Sequence, residues 1–217
     1  RDLHSFPTRR SSDLATILSH TLFIFGMGES KVEDTLRDMM TSYTNPTIAP
    51  YAKQGEVQVR VSAKAGSAEE AETMIRPVVE KIQKRLGDVV YGVDAGSLQN
   101  AVVEALKEKR LTVATAESCT GGGVSAAITD VPGASAVLLG GICAYANGIK
   151  VKLLGVEEKT LETYGAVSEQ TAKEMARGAR AATGADIGIG ITGIAGPDGG
   201  SVEKPVGLVY IAVNSDA

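Results

Sequence analysis

The sequence predicts an α/β protein, a small α+β domain followed by a three-layer α/β/α domain. Three observations predict it. Strand-like and helix-like runs alternate along most of the chain. Around residues 94–97 (DAGS) the pattern changes, from amphipathic segments to short buried-type strands separated by Gly-rich turns. The length of 217 residues suits one large or two small domains.

In the first domain, residues 15–95, the apolar run 21–26 (TLFIFG) reads as a strand. A helix is expected from Lys31 to Tyr43, with Val32, Leu36, Met39 and Met40 on one face. Residues 56–65 (EVQVRVSAKA) alternate polar and apolar, the period of a half-buried strand. Ser67 and Glu70 form a capping box, and Ala71, Met74, Ile75, Val78, Val79, Ile82 and Leu86 continue a helical stripe. Pro77 should kink that helix or mark its start. Residues 88–92 (DVVYG) give a last strand, so the expected order is β-α-β-α-β. The first 14 residues have neither period and read as a non-native or disordered tail.

In the second domain, residues 96–217, Ser97 caps a helix whose apolar positions are Leu98, Val102 and Leu106. Strands are expected at 111–116 (LTVATA), 137–145 (VLLGGICAY), 186–192 (DIGIGIT) and 206–213 (VGLVYIAV). A short helix follows the turn 117–123 and runs to about Thr129. Another opens at Ser168, with Ala172, Met175, Ala176 and Ala179 on its apolar face. Strands alternating with helices argue for a sheet covered on both sides.

Composition excludes several functions. The net charge is −4, divided as +1, −2 and −3 among the tail and the two domains, so the basic footprint of nucleic-acid binding is missing. Cys119 and Cys143 alone make neither a metal framework nor a disulfide scaffold, and they suit reduced thiols of a cytoplasmic protein. The longest apolar run, Ala134 to Ala146, falls short of the roughly 20 residues that span a bilayer. The two histidines, His4 and His20, lie far from every Gly-rich loop. A Ser-His-Asp site in the second domain is therefore unavailable, and so is a His-rich metal site. A nucleophile there must be activated by Lys, Tyr, a carboxylate or a helix dipole.

Three segments can carry chemistry. Glu117-Ser118-Cys119-Thr120-Gly121-Gly122 joins a buried strand to a helix. A hydroxyl on that turn is presented at the carboxyl edge of a sheet, and the amides of Thr120 and Gly121 at a helix N-terminus suit an oxyanion or a phosphate. The alternative is that Ser118 or Thr120 only caps the helix. Cys119, with no histidine to activate it, reads as a packing residue. Tyr145-Ala146-Asn147-Gly148-Ile149-Lys150 follows a strand and reaches the same edge, with Asn147-Gly148 as a turn. Lys150 can deprotonate Ser118 if burial lowers its pKa from about 10.4; otherwise it is an ordinary surface lysine. Residues 192–200 (TGIAGPDGG) leave a strand and can wrap a phosphate or ribose, or simply connect. Gly188 to Gly193 matches G-x-G-x-x-G, but its first glycines fall inside a strand, which argues against dinucleotide binding.

Read together, residues 116–122 (AESCTGG), 145–150 (YANGIK), 165–172 (GAVSEQTA), 192–200 (TGIAGPDGG) and 203–210 (EKPVGLVY) resemble the C-terminal domain of the CinA family. The first domain, with FGMGES and IAPYA, resembles the family's small middle domain. The resemblance implies hydrolysis of the carboxamide of nicotinamide mononucleotide to nicotinate mononucleotide and ammonia, without cofactor or metal. Ser118 would be the nucleophile, Lys150 its base, and Tyr145 would relay or orient the proton. Thr120, Gly121, Asn147, Thr192, Gly193 and Gly196 would contact a small pyridine nucleotide, and a homodimer is implied as the assembly. Neither nucleic acid nor membrane is an expected partner. The family's amino-terminal domain is expected to be absent, Ala146 stands where the family usually has Ser, and the chain ends before a helix-bearing segment that family members carry. Two competing readings are a non-catalytic nucleotide-binding or regulatory module, and RNA binding by the first domain, against which its net charge of −2 argues.

Overall fold

The structure is a computed structural model and describes residues 15–53 and 55–216. The expected tail, residues 1–14, lies outside them. The chain divides into two compact units between Leu98 and Gln99.

The first unit runs β1 (Thr16–Ile24), α1 (Glu29–Ser42), β2 (Thr47–Lys53), β3 (Glu56–Ala65), α2 (Ala68–Leu86) and β4 (Val90–Val93). The strands form one antiparallel sheet in the order β2-β3-β1-β4. Alternation along β3 turns Val57, Val59, Val61 and Ala63 inward, where they meet Val32 and Leu36 of α1 and Ile75, Val78 and Ile82 of α2. Ser67 caps α2 by accepting the Glu70 amide at 3.1 Å, and Glu70 reaches back to the Gly66 amide at 2.9 Å, the capping-box pattern displaced by one donor.

Three expectations for this unit need correction. Strand β2 is additional, so the order is β-α-β-β-α-β. Pro46 and Pro50 make the segment look like a loop, yet an edge strand tolerates proline because one side of its backbone needs no partner. Strand β1 begins five residues earlier than expected, at Thr16. Helix α2 continues through Pro77, which lies on its exposed face, where the Thr73 carbonyl deprived of a helical donor can turn to water.

The second unit runs α3 (Leu98–Lys109), β5 (Val113–Glu117), α4 (Gly123–Thr129), β6 (Leu138–Cys143), α5 (Asn147–Leu154), α6 (Glu158–Tyr164), α7 (Glu169–Thr183), β7 (Ile187–Gly193) and β8 (Val209–Asn214). The sheet order is β6-β5-β7-β8, with β5 parallel to both neighbours and β8 antiparallel to β7. Successive β5 residues face opposite layers. Ala114 and Ala116 pack with Leu154, Met175 and Ala179 of α5 and α7, while Val113 packs with Val103, Leu106 and Ile128 of α3 and α4. These are the three layers that the alternating pattern predicts.

Glycine sets the spacing of the α7 layer. A Cβ on Gly190 would lie 2.1 Å from the Ala172 carbonyl, and one on Gly188 would lie 2.0 Å from the Ala176 carbonyl. The IGIGI run of β7 therefore serves close helix–sheet approach rather than nucleotide binding. Helix α3 is rotated from expectation: Val103 and Leu106 are buried, while Leu98 and Val102 are partly exposed. Helices α5 and α6 are additional. Asn147-Gly148, expected as a turn, forms the first turn of α5, and the glycine masks the short helical signal there.

Candidate active site

The parallel strands β5, β6 and β7 bring Ser118, Tyr145 and Gly193 to one sheet edge. Carboxyl ends of such strands are where α/β proteins bind ligands. The Ser118 amide extends the ladder by donating to the Ile191 carbonyl at 2.9 Å. Glu117 and Ser118, one residue apart, face opposite layers: Glu117 toward α4 and Ser118 toward α5.

Glu117 is fully buried. Its carboxylate accepts the amides of Gly122 (3.1 Å), Val124 (3.0 Å) and Ser125 (2.8 Å), with the hydroxyls of Thr115 (3.1 Å) and Ser125 (2.8 Å). Burial acts to raise its pKa, but the Thr120 hydroxyl and the Val124 and Ser125 donors outweigh it and hold the carboxyl at about 2. The anion that the α4 N-terminus attracts is thus the protein's own. The sequence placed Glu117 in the motif but gave it no role; its signal was a carboxylate ending a buried strand, which glutamate rarely does unpaired.

Lys150 lies on the inward face of α5 with Leu154, four residues on. It is 1 % exposed, and its Nζ sits 3.0 Å from Ser118 Oγ, itself 8 % exposed. Its other contact is donation to the Tyr145 carbonyl at 2.9 Å. No carboxylate pairs with it among the described residues. Burial lowers its pKa below the ordinary lysine value, while the nearby Cys119 and Cys143 act the other way. The surface-lysine alternative is excluded. A neutral amine beside a hydroxyl can take its proton, which is the activation a serine nucleophile needs.

The remaining expected residues divide. Thr120 and Asn147 are exposed at the same edge. The amides of Cys119 and Thr120 find no acceptor among the described residues, whereas the Gly121 amide donates to the Ser118 carbonyl at 3.1 Å. Gly121 is therefore spent on the turn, and the expected donor pair shifts back by one residue. Tyr145 contributes its carbonyl; its side chain is 70 % exposed, and no hydrogen bond joins its phenol to Ser118 or Lys150 among the described residues. The Thr192 hydroxyl is buried and donates to the Ala166 carbonyl at 2.7 Å, leaving no proton for a ligand. Gly193 and Gly196 are packing positions. A Cβ on Gly193 would lie 2.7 Å from the Leu208 carbonyl and 3.1 Å from Cys119 Sγ, and one on Gly196 would strike Val206 at 2.6 Å. Cys119 is thus a packing neighbour, as its sequence context suggests. No cluster of three or more His, Cys, Asp or Glu suited to a metal occurs among the described residues, and no helix there is long and apolar enough to cross a membrane.

A family profile described as "CinA C-terminal domain" matches residues 95–217, and one described as "Damage-inducible protein CinA KH domain" matches residues 19–92. A "CinA-like protein" of Dictyoglomus turgidum is 53 % identical over 91 % of this chain and 48 % of its own. A "Putative competence-damage inducible protein" of Clostridium acetobutylicum is 48 % identical over 95 % of this chain and 50 % of its own. The chain spans about half the length of these curated relatives. Among solved structures, the competence/damage inducible protein CihA from Agrobacterium tumefaciens is 46 % identical, with a TM-score of 0.55 over 57 % of this chain and 74 % of its own. The competence damage-inducible protein A of Klebsiella pneumoniae is 38 % identical, with a TM-score of 0.53 over 54 % of this chain and 73 % of its own.

Proposed function

The chain belongs to the CinA family, and from that membership and the geometry of Ser118 and Lys150 we propose that its second unit is a carboxamide hydrolase converting nicotinamide mononucleotide to nicotinate mononucleotide and ammonia. The observation that carries the reading is the buried Lys150 amine 3.0 Å from Ser118 Oγ with no carboxylate to keep it charged. The choice of substrate comes from the family resemblance.

In this mechanism neutral Lys150 accepts the Ser118 proton as Oγ attacks the amide carbon. The amides of Cys119 and Thr120 face the developing oxyanion. The Lys150 ammonium, steadied by the Tyr145 carbonyl, returns its proton to the departing nitrogen, and ammonia leaves. Water then attacks the acyl ester with Lys150 again as base, freeing the carboxylate and restoring Ser118. Burial supports this cycle because it lowers the pKa of the Lys150 amine and so favours the form that can accept a proton.

Ammonia release from nicotinamide mononucleotide is the test. Turnover by the chain should fall by about 100-fold or more in Ser118→Ala and in Lys150→Ala. A folded parent that binds the nucleotide without turnover would favour a binding module instead.

A further inference from the structure

If the substrate is a nucleotide, its phosphate needs a receptor. The helix terminus nearest the nucleophile is closed to it, because the Gly122, Val124 and Ser125 amides at the start of α4 already serve the Glu117 carboxylate. A different cation stands at the same sheet edge.

Lys204 lies on the hairpin loop joining β7 to β8. The loop's base is closed by the Ile194 amide donating to the Leu208 carbonyl (2.9 Å) and the Gly207 amide donating to the Ile194 carbonyl (2.8 Å). The Lys204 ammonium is half-buried and donates to the Tyr164 and Val167 carbonyls, both at 2.8 Å. Those carbonyls flank Ala166, whose own carbonyl accepts the Thr192 hydroxyl at 2.7 Å. Thr192 follows Ile191, the residue that receives the Ser118 amide. Three hydrogen bonds and the chain between them thus link the ammonium to the strand end that carries the nucleophile.

Its charge is not balanced. No carboxylate lies within ion-pair distance of Lys204 among the described residues, and the adjacent Glu203 accepts the Ser201 hydroxyl at 3.0 Å. An ammonium carries three donors, and two neutral carbonyls occupy two of them. Gly165 lies against the ammonium, where a Cβ would come within 3.3 Å of Nζ. A half-buried charge held by neutral dipoles is costly to leave without a counter-ion.

We infer that Lys204 is the residue that receives the phosphate monoester of the substrate, its ammonium presented over Gly165 by the Tyr164 and Val167 carbonyls. The inference rests on the nucleotide-amidase reading. A lysine that only strapped the loop down would act on every substrate alike, whereas a phosphate receptor discriminates between a nucleotide and its nucleoside.

The test compares nicotinamide mononucleotide with nicotinamide riboside in the parent chain, Lys204→Met and Lys204→Arg, with kcat/KM measured for each. The parent's preference for the mononucleotide should fall by about 10- to 100-fold in Lys204→Met, the range expected for a lost charge-assisted hydrogen bond. Lys204→Arg should retain most of it. An unchanged preference in Lys204→Met, whether or not both rates drop, overturns the inference and leaves Lys204 as a strap. If the parent turns over neither compound, the amidase reading fails; calorimetric affinities of the two compounds for the same three proteins then decide the phosphate receptor by the same ratio. A parent that binds the mononucleotide no better than the riboside overturns it as well.

Discussion

The two units have sheets of equal strand number but treat polar groups in opposite ways. The first packs Leu22, Ile24, Leu36, Ile75 and Ile82 into an aliphatic core, and none of its described polar residues is buried. The second builds its layers from Ala114, Ala116, Ala176 and Ala179 and buries Thr115, Glu117, Ser118, Lys150, Thr160, Ser168, Thr171 and Thr192. A buried charge costs several kcal/mol unless paired or neutralised. The first unit avoids that cost; the second accepts it for Glu117 and Lys150, one residue and one hydrogen bond from the same serine. The two charges are handled differently. Glu117 stays ionised within a shell of donors, whereas burial lowers the pKa of Lys150, which has no carboxylate partner among the described residues to offset it. Of the two, Glu117 holds the turn that carries Ser118, and Lys150, with no carboxylate among the described residues, marks the site.

The sharpest way to break the comparison is Glu117→Gln. An amide in place of the carboxylate turns an NH2 group toward donors on one side, so either the Ser125 amide or the Gly122 and Val124 amides lose their acceptor, at about 1–3 kcal/mol each. The expected destabilisation is about 2 kcal/mol or more, read from chemical unfolding, with faster hydrogen exchange at Ser125 or at Gly122 and Val124. Because the folded pKa of about 2 lies below the ordinary 4.5, the parent's advantage is fully present above 4.5 and fades as pH falls toward 2. An unchanged unfolding midpoint at neutral pH would show that Glu117 does not hold the turn.

The smallest effect is expected in the first unit, at His20. Its ring bridges Glu72, at 2.6 Å from Nε2, and Asp94, which also accepts the Thr21 amide at 2.8 Å. The Glu72 hydrogen bond is the main cause of its raised pKa, followed by that to Asp94. The stabilisation is therefore fully present below about 6.5 and is lost as pH rises through the higher folded value. His20→Gln should lower Tm by about 5 °C or less at pH 5.5 and by less still at pH 9, since partly exposed pairs contribute little. A larger loss at the higher pH would contradict the assignment.

Most of the fold was legible in the sequence because its signals were periodic. The alternation at 56–65 and the stripe from Ala71 to Leu86 each became the element expected. What escaped was set by tertiary context: β2 hides behind prolines that only an edge strand tolerates, and α5 hides behind an Asn-Gly pair. At the site, the strand–turn–helix pattern located Ser118, and its pairing with Lys150 needed only that two parallel strands end on one edge. Gly193 and Gly196 also answer to packing that no local pattern reveals. The role of Glu117 is not legible in the sequence because its donors lie five to eight residues ahead, at a helix start that equally suits a ligand.

The most direct test of the claim that the second unit's buried charge is placed for chemistry is Lys150→Met, with ammonia release and thermal unfolding measured on the same sample. The account predicts that release from nicotinamide mononucleotide falls by about 100-fold or more while Tm stays within about 3 °C or rises, because an apolar side chain of similar length fills the same space without the cost of burying an amine. Release that persists, or a loss of release that merely accompanies a marked drop in Tm, would contradict it and make Lys150 a structural residue.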